Sequence, residues 1–351
     1  MRRLTRRRKE DILRFSLLAV IALSLFLTAI LMDRLRERDA VPAFSLLPKA
    51  DKTVLVVGKD DVGQNTDVIF LVRLNGKAET ATLLQLPRDT YVEQEGRGRR
   101  LNSLYARLLT AHKGERNPER KAMADLVDLL SQSLGVGIDD YLLTDLALFR
   151  RTVDALGGVT MTVPYDLHYE DPEQGLYIHL DKGTHTLDGE KAEQFIRFRS
   201  GYLRADLGRI DAQKLFLAAL MARIKEGLTV KQLLSVGEGV LTHAVTSLTV
   251  TELPSLLSAA LSLPLSGLSM ATAPGTVTPD GRYYVLNREG MTALLSQAFT
   301  PSGGAFDPNC LFCGTGSEEI AFLYQKPYEG DPLINAETLT KEGISIAIRG
   351  S

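Results

Sequence analysis

Short apolar runs separated by turn-forming residues recur in the middle of the chain. The runs TVLVVG (53–58), TDVIFLVRL (66–74) and ATLLQLP (81–87) are rich in β-branched residues, which predicts buried strands. Helices are predicted over 101–111, 119–135, 145–156, 189–199 and 207–226, followed by a helix-rich stretch over 229–262, strand-like SMATAP and YYVL, and a helix over 288–299. This alternation predicts an α/β domain of α-β-α layers, in which helices cover both faces of a mixed sheet.

An uncharged run precedes this pattern. Residues 15–32 form a run of 18 that would span roughly 27 Å as a helix, close to the hydrocarbon thickness of a bilayer. Residues 1–14 carry seven basic groups against Glu10 and Asp11. A buried core helix is disfavoured because it rarely lacks a charged face, and a cleaved signal peptide because no A-x-A-like site follows Met32. We predict one uncleaved transmembrane helix, with a cytoplasmic N-terminus and the rest of the chain outside the cell membrane.

The overall composition is close to neutral. The chain has 351 residues, with 41 Lys and Arg against 43 Asp and Glu, for a net charge of −2. These values exclude a disordered tail, a collagen-like repeat and a polytopic membrane protein. Residues 1–14 have a balance of +5 and the apolar run is uncharged, so the remainder sums to −7. No nucleic-acid partner is predicted for such an acidic segment.

The predicted organisation has five parts. They are a cytoplasmic basic segment (1–14), the transmembrane helix (15–32), a stalk (33–50), the α/β domain (51–300) and a C-terminal tail of unknown role (301–351). The tail contains the only cysteines, Cys310 and Cys313. A C-x-x-C pair is compatible with a redox motif or half of a zinc site, but no histidine stands at a recognisable zinc spacing. A local disulfide is the favoured interpretation for an external segment.

Carboxylates stand at the ends of the first two predicted strands. Asp60 and Asp61 follow the first strand, and Asp67 begins the second. Carboxylates at the ends of adjacent strands can converge, and Mg²⁺ is bound by one or two carboxylates together with waters and phosphates. Loop aspartates that cap turns are the alternative interpretation.

Arginines are concentrated at two places in the acidic remainder. Arg88 follows the third strand in LPRDT, where a guanidinium can bind a phosphate through two parallel hydrogen bonds or pair with a carboxylate such as Asp89. The segment IRFRSGYLRADLGRIDAQK places further basic and polar residues around the start of a helix, a position that favours anions. Its members of interest are Arg197, Arg199, Arg204, Asp206, Arg209 and Gln213. They predict a pocket for a polyanion of pyrophosphate size, with solvated surface arginines as the alternative.

Several reaction classes lack their sequence signatures. The chain has no G-x-S-x-G, no H-E-x-x-H, no P-loop and no G-x-G-x-x-G after a strand. His168, His179 and His185 fall in a region predicted to be a polar loop. Nucleotide hydrolysis and dinucleotide redox chemistry are therefore disfavoured.

Six blocks in this order resemble the LytR-CpsA-Psr family of cell-wall glycopolymer phosphotransferases. The similarity covers roughly residues 53–226, with a weaker match to about 300, behind a single N-terminal anchor. The blocks are VVGKD with TDVIFLVRLN, LPRDTYV, RRLNSLYA, FRRTVDALGGVTMTVP, GTHTLDGEKAEQFIRFR and DLGRIDAQ. The resemblance implies an external α/β catalytic domain over 51–300. It also implies transfer of a glycopolymer from an undecaprenyl-pyrophosphate carrier to a muramic acid hydroxyl of peptidoglycan.

The resemblance also implies roles for particular residues. Asp60 and Asp67 correspond to carboxylates that bind Mg²⁺ (or Mn²⁺). Arg88 corresponds to a catalytic pyrophosphate ligand, and Asp206 to an acidic position with an acid/base or arginine-orienting role. The family's phosphate-binding positions fall on Arg197, Arg199, Arg209 and Gln213. Phosphoryl transfer requires mainly positioning and charge neutralisation, so arginines and a metal suffice without a protein nucleophile.

The chain departs from the family pattern at three places. The loop between Asp60 and Asp67 is short, Asn65 stands where many members have Arg, and Ala212 stands where many have Arg before the Gln. Two further functions therefore compete with the transferase. One is a non-catalytic regulator that binds polyprenyl phosphate or glycan, and the other is a polyprenyl-pyrophosphate hydrolase that accepts water.

Overall fold

The computed structural model describes most of the chain after the predicted stalk. It describes residues 51–59, 65–172, 175–204, 206–299, 311–312, 317–328, 330 and 333–343. Within these residues, no helix combines the length and apolar character needed to cross a bilayer. The predicted span 15–32, the segments 1–14 and 33–50, Asp60, Asp61 and both cysteines lie outside the described residues.

The described residues form strands and helices in an irregular alternation. The strands are β1 (Asp51–Lys59), β2 (Thr66–Asn75), β3 (Thr80–Gln85), β4 (Tyr91–Gln94), β5 (Arg97–Arg100), β6 (Asp140–Thr144), β7 (Val159–Val163), β8 (Leu167–Asp171), β9 (Leu176–Leu180), β10 (Gly183–Leu187), β11 (Val245–Thr246), β12 (Leu268–Thr272), β13 (Gly275–Val277), β14 (Tyr284–Leu286) and β15 (Leu333–Asn335). The α-helices are α1 (Leu104–Ala111), α2 (Pro118–Leu134), α3 (Leu146–Ala155), α4 (Gly189–Arg197), α5 (Asp206–Lys225), α6 (Val230–His243), α7 (Leu253–Ser262), α8 (Arg288–Ala298), α9 (Glu318–Gln325) and α10 (Ala336–Glu342). The predicted strands and helices before residue 300 are confirmed, with small shifts at their ends.

A seven-stranded mixed sheet is the centre of the fold. Its order is β11-β6-β1-β2-β3-β12-β15. The pairs β1–β6 and β3–β12 are parallel, whereas β1–β2 and β2–β3 are antiparallel. The predicted mixed α/β domain is thereby confirmed. Because β2 runs against its neighbours, its first residues lie at the same edge of the sheet as the last residues of β1 and β3.

Helices lie on both faces of this sheet. On one face, alternate strand residues such as Leu55, Ile69 and Leu84 are buried with residues of α1, α2, α8 and α9. On the other face, Met270 packs with Ala218 of α5 and with residues of α10. Burial of these apolar side chains, worth roughly 25 cal/mol per Å², is the main stabilisation of the layered arrangement.

A second core is built from two small two-stranded sheets and three helices. Strands β7 to β10 form the pairs β7–β10 and β8–β9. Their inward side chains pack with Val153 of α3, Phe195 of α4 and Phe216 of α5. Helix α5 contributes to this core and to the core on the sheet, so it lies between them. The expectation of a polar loop around His168, His179 and His185 is wrong, because these residues lie on β8, β9 and β10.

The described residues of the predicted tail also pack against the domain. Strand β15 pairs with β12 at the edge of the main sheet. Ile320 and Tyr324 of α9 are buried in the first core, and Leu339 of α10 is buried in the core on the other face. Residues 333–343 therefore extend the sheet and its helical cover.

Candidate functional site

The candidate site lies at the sheet edge where β1 and β3 end and β2 begins. Asp67 is the second residue of β2, and Arg88 follows β3 by three residues. The pairing of Phe70 with Gln85 and a hydrogen bond from Leu86 N to Ile69 O (2.9 Å) bring these two strand ends together. As a result, Arg88 Nη1 donates to Asp67 Oδ1 at 2.7 Å.

Arg88 contacts a second carboxylate from helix α5. Its Nε lies 3.4 Å from Asp206 Oδ1, and its side chain is only 18% exposed. Burial lowers the pKa of Arg88, but Asp206 and Asp67 outweigh burial, so the pKa lies above its ordinary value. Asp89, the predicted alternative partner, lies farther away, with Oδ2 at 4.0 Å from Arg88 Nε.

Asp206 is shared by two guanidinium groups. Arg209, one turn later on α5, places Nη2 at 2.8 Å from the same Asp206 Oδ1. Burial lowers the pKa of Arg209; Asp206 raises it, Arg88 lowers it further, and the pKa stays below its ordinary value. A guanidinium nevertheless remains charged at neutral pH. Two guanidinium groups thus share one carboxylate oxygen, and Asp67 contacts Arg88 at Nη1.

Several polar atoms of this cluster have no aligned hydrogen bond. Among the described residues, three atoms of the cluster are buried without a hydrogen-bond partner: Arg88 Nε, Arg209 Nε and Asp206 Oδ1. The contacts of both arginines with Asp206 are therefore ion pairs without good hydrogen-bond alignment. Buried donors without partners are costly and rare in native proteins. Two buried arginine N–H donors near each other are suited to bind an anion.

The first turn of α5 depends on a glycine. A Cβ atom at Gly208 would lie 2.5 Å from Tyr202 Cβ. Glycine therefore allows α5 to approach the buried ring of Tyr202 closely, and this approach sets where Asp206 and Arg209 stand. The sequence D-L-G-R thus has a local steric reason for its glycine.

Gln213 lies one further turn along α5 and is buried. Its Oε1 accepts a hydrogen bond from Gln85 Nε2 at 2.6 Å, and its Nε2 donates to Ile196 O at 3.2 Å. Gln85, the last residue of β3, is not among the residues predicted for the site. A glutamine inside an apolar strand pattern is a detectable signal, because a buried amide requires polar partners.

The structure places the other two predicted arginines differently. Arg197 ends α4 and donates to Glu193 Oε1 at 2.8 Å. Glu193 also pairs with Arg150 of α3. Arg199 is exposed beyond the end of α4, and its charge contributes to the lowered pKa of Arg209. Arg199 is therefore near the cluster, whereas the described contacts of Arg197 connect it with α3.

The predicted metal ligands are only partly described. Asp67 is 38% exposed at the sheet edge, and Asp60 lies outside the described residues. The strand register places Lys59, the last residue of β1, opposite Thr66, which precedes Asp67 on β2. Within the described part of the chain, no group of three or more His, Cys, Asp or Glu side chains is arranged to hold a metal. One or two carboxylates are sufficient for Mg²⁺ when water and phosphate complete its shell.

Ala212 lies beside these residues on α5 and is fully buried in the second core. An arginine at this position would point into the same apolar cluster unless its charged end reached the surface. The alanine fits the packing of Phe195 and Phe216 against α5, and this position supplies no phosphate contact.

These features agree with a known family. The model of the LytR_cpsA_psr family matches residues 26–299. The match covers more than half of the chain, and its region includes the sheet edge with Arg88, Asp206 and Arg209. The chain belongs to the LytR-CpsA-Psr family.

Curated relatives of this family carry transferase names. Polyisoprenyl-teichoic acid–peptidoglycan teichoic acid transferase TagV of Bacillus subtilis is 27% identical over 251 residues, or 68% of this chain and 61% of that protein. The corresponding TagU of Bacillus cereus is 32% identical over 53% of this chain and 56% of its own length. Cell wall biosynthesis protein LcpA of Corynebacterium glutamicum is 28% identical over 47% of this chain and 34% of its own length. The chain thus spans 61% or less of these relatives.

Solved structures share the fold. The crystal structure of B. subtilis TagV superposes with a TM-score of 0.58 at 22% identity, covering 73% of this chain and 100% of that chain. A structure of TagT bound to LIIa-WTA has a TM-score of 0.55 at 26% identity, covering 70% of this chain and 89% of that chain.

Proposed function

We propose that this protein transfers a glycopolymer from a polyprenyl-pyrophosphate carrier to a muramic acid hydroxyl of peptidoglycan. The proposal combines family membership with the transferase names of the relatives. The observation that carries it is the pair Arg88 and Arg209, whose buried Nε donors lack aligned partners and whose guanidinium groups both contact Asp206. A pyrophosphate presents two neighbouring anionic groups to such a pair.

The reaction balances without a protein nucleophile. The acceptor hydroxyl attacks the phosphorus that carries the sugar, a phosphodiester forms, and the bond to the bridging oxygen of the pyrophosphate breaks. Polyprenyl monophosphate leaves with that oxygen. Arg88 and Arg209 neutralise the charge that builds up on the phosphate oxygens.

Asp206 has two successive tasks in this proposal. Before binding, its Oδ1 orients Arg88 and Arg209. When the pyrophosphate replaces it as their partner, the carboxylate loses two cationic neighbours and becomes free to accept the hydroxyl proton. Asp67 similarly gives up Arg88 when the phosphate binds. The ion pairs among these side chains keep the arginines in place until the ligand arrives.

A divalent cation fits the same edge of the sheet. Asp67 is the second residue of β2, Asp60 follows Lys59 in the sequence, and carboxylate oxygens suit Mg²⁺ or Mn²⁺. The metal would neutralise charge on the pyrophosphate. Arg199, Gln213 and Arg197, the last residue of α4, remain proposed contributors to phosphate binding.

The proposed location follows from the N-terminal sequence. Residues 15–32 would anchor the chain in the cell membrane, with residues 1–14 in the cytoplasm and 51–300 outside as the catalytic domain. The stalk 33–50 would keep the site near a lipid-linked donor. Residues 301–351 would form a C-terminal extension of that external part.

A reconstituted reaction tests the activity. The full chain in detergent micelles is incubated with a synthetic polyprenyl-pyrophosphate oligosaccharide, Mg²⁺ and peptidoglycan fragments, and products are identified by mass spectrometry. We expect an oligosaccharide joined to the glycan by a phosphodiester, and the product should disappear when Arg88 is replaced by alanine. Free sugar phosphate would instead identify a hydrolase, and donor binding without turnover would identify a regulator.

A further inference from the structure

Gln85 is a buried polar residue next to the proposed pyrophosphate site. It is 2% exposed at the end of β3, three residues before Arg88, and it donates to Gln213 across the interface between the sheet and α5. Gln213 shares its helix face with Arg209, four residues earlier. The Gln85–Gln213 hydrogen bond therefore links the strand that carries Arg88 to the helix that carries Arg209.

The orientation of the Gln213 amide is held by two hydrogen bonds, one to a backbone carbonyl and one from Gln85. Ile196 O can only accept, so the NH₂ group of Gln213 must face it and Gln213 Oε1 must face Gln85. Gln85 must then turn its own NH₂ group toward Gln213. This leaves Gln85 Oε1 buried and without a donor in the described part of the chain.

An unpaired buried acceptor costs free energy that an apolar side chain at the same position would avoid. A glutamine that only filled space between β3 and α5 would bring this cost without a benefit. The benefit we identify lies at Gln213. With its oxygen occupied by Gln85, Gln213 keeps an N–H donor, and not its carbonyl oxygen, available to an anion bound beside Arg209.

We propose that Gln85 is a positioning residue, which holds the amide of Gln213 in the orientation that donates a hydrogen bond to the pyrophosphate. The inference rests on the proposed function and extends it by a residue that acts through Gln213. Gln85 itself need not touch the substrate. Without its donor, the oxygen of Gln213 would be buried and unpaired, and only the 3.2 Å bond to Ile196 O would oppose a rotation that turns an acceptor toward the phosphate.

A double-mutant cycle tests this role through binding. The variants are Gln85→Met, Gln213→Met and the double variant in the full chain, since methionine is unbranched and fills irregular core space. The probes are farnesyl pyrophosphate and farnesyl monophosphate, measured by calorimetry in detergent micelles with Mg²⁺. The ratio of the two dissociation constants reports the pyrophosphate contact, because the prenyl chain is common to both probes.

We expect Gln213→Met to weaken the preference for pyrophosphate by about tenfold, the size of one charge-assisted hydrogen bond. Gln85→Met should reduce the preference by about fivefold, and the double variant should be no worse than Gln213→Met alone, because Gln85 acts through Gln213. Effects that multiply in the double variant, or an unchanged preference in Gln85→Met, would overturn the proposal.

Two further variants separate positioning from stability. Leu84→Val perturbs the same strand on its opposite face, where Leu84 is fully buried, and should leave the preference unchanged. Gln85→Glu can only accept from Gln213 and would force its amide to turn, so its loss of preference should exceed that of Gln85→Met. The glutamate also keeps the proposal testable if the methionine variant does not fold. A smaller loss in Gln85→Glu would contradict it.

The proposed function and this inference fail in different ways. If the wild-type chain does not distinguish farnesyl pyrophosphate from farnesyl monophosphate, the proposed pyrophosphate site is wrong. If the wild type distinguishes them and the cycle shows no coupling between Gln85 and Gln213, the positioning role alone is wrong.

Discussion

Two charged networks stand at opposite ends of β1, and they differ in how completely their polar atoms are paired. At the start of the strand, Lys52 Nζ donates to Asp140 Oδ2 at 2.5 Å and to Glu252 Oε1 at 2.6 Å. Ser247 Oγ donates to the other oxygen of Asp140 at 2.8 Å. At the other end, Arg88 and Arg209 contact Asp206, but their Nε atoms lack aligned partners within the described residues.

The difference separates a structural network from a binding site. Groups that serve stability satisfy one another, because a buried polar atom without a partner costs about 1–3 kcal/mol. Groups that serve binding keep donors free for the ligand and are stabilised when it arrives. We therefore expect substitutions in the Lys52 network to change stability, and substitutions in the arginine cluster to change activity.

The largest expected effect is on the arginine cluster. Arg88→Ala should lower kcat/KM for the polyprenyl-pyrophosphate donor by at least about a hundredfold, as loss of a donor to developing negative charge does. The free energy of unfolding should change little, because the remaining carboxylates Asp67 and Asp206 are partly exposed. Steady-state kinetics and urea denaturation on the same preparation check both parts. If Arg88→Ala kept its activity and lost stability, Arg88 would belong to a structural network and not to a binding site.

The Lys52 network should respond in the opposite way. Lys52→Met leaves Asp140, whose side chain is 8% exposed, without its cation. We expect a loss of about 2 kcal/mol in the free energy of unfolding, below the value for a fully buried pair because Lys52 is 17% exposed. Activity per folded molecule should stay at the wild-type value. The matched control is Lys341→Met at an exposed pair with Glu337, for which we expect no measurable change in stability.

The two networks differ in how far the sequence predicts them. The three central strands follow from their apolar, β-branched runs, and the motifs contain Arg88 and Asp206, whose side chains lie 3.4 Å apart in the structure. Lys52 pairs with Asp140 of β6, 88 residues later in the chain. A contact over such a sequence separation cannot be predicted from the local residue pattern. The pairing of Arg197 with Glu193 is local, because the two residues lie four apart on α4, whereas the contact of Glu193 with Arg150 of α3 depends on the fold.

Short strands are the part of the fold that the sequence predicts least well. Strands β7 to β10 have five residues each, and their polar outward positions resemble a loop in composition. Strand β15 has three residues and gains its stability by pairing with β12. These segments form strands because they pair with other strands of the fold, and not because of their local propensity. Gln85 stands out in the sequence as a polar residue in an apolar strand, but its partner, Gln213, is brought to it only by the packing of α5.

Arg199 offers a smaller test on the exposed side of the cluster. Arg199→Ala should reduce kcat/KM for the donor by about tenfold, as expected for one charged phosphate contact. The reduction should shrink at high ionic strength, because an exposed charge is screened by salt. Kinetics at low and high salt check this, with the exposed Arg288→Ala on α8 as the control. Equal effects of the two substitutions would remove Arg199 from the site.

The smallest expected effect is the pH dependence of the Lys52 network. Hydrogen bonds from Lys52 and Thr249 lower the pKa of Glu252 to about 2. The carboxylate therefore adds stability that is fully present above its ordinary pKa and is lost as the pH falls toward 2. In acid titrations of unfolding, Glu252→Gln should show a weaker decline in stability below about pH 4.5 than the wild type. If the free energy of unfolding declined in parallel for Glu252→Gln and the wild type, Glu252 would not contribute to the loss of stability in acid.

The central claim is that the arginine cluster exchanges its carboxylate partners for a pyrophosphate. A crystal structure of the chain with farnesyl pyrophosphate and Mg²⁺ tests it most directly. We predict phosphate oxygens within hydrogen-bond distance of Arg88 and Arg209, with the Arg88–Asp67 pair opened, while the bonds of Lys52 to Asp140 and Glu252 stay unchanged. A pyrophosphate bound elsewhere, with the Arg88–Asp67 pair intact at its 2.7 Å distance, would contradict the account.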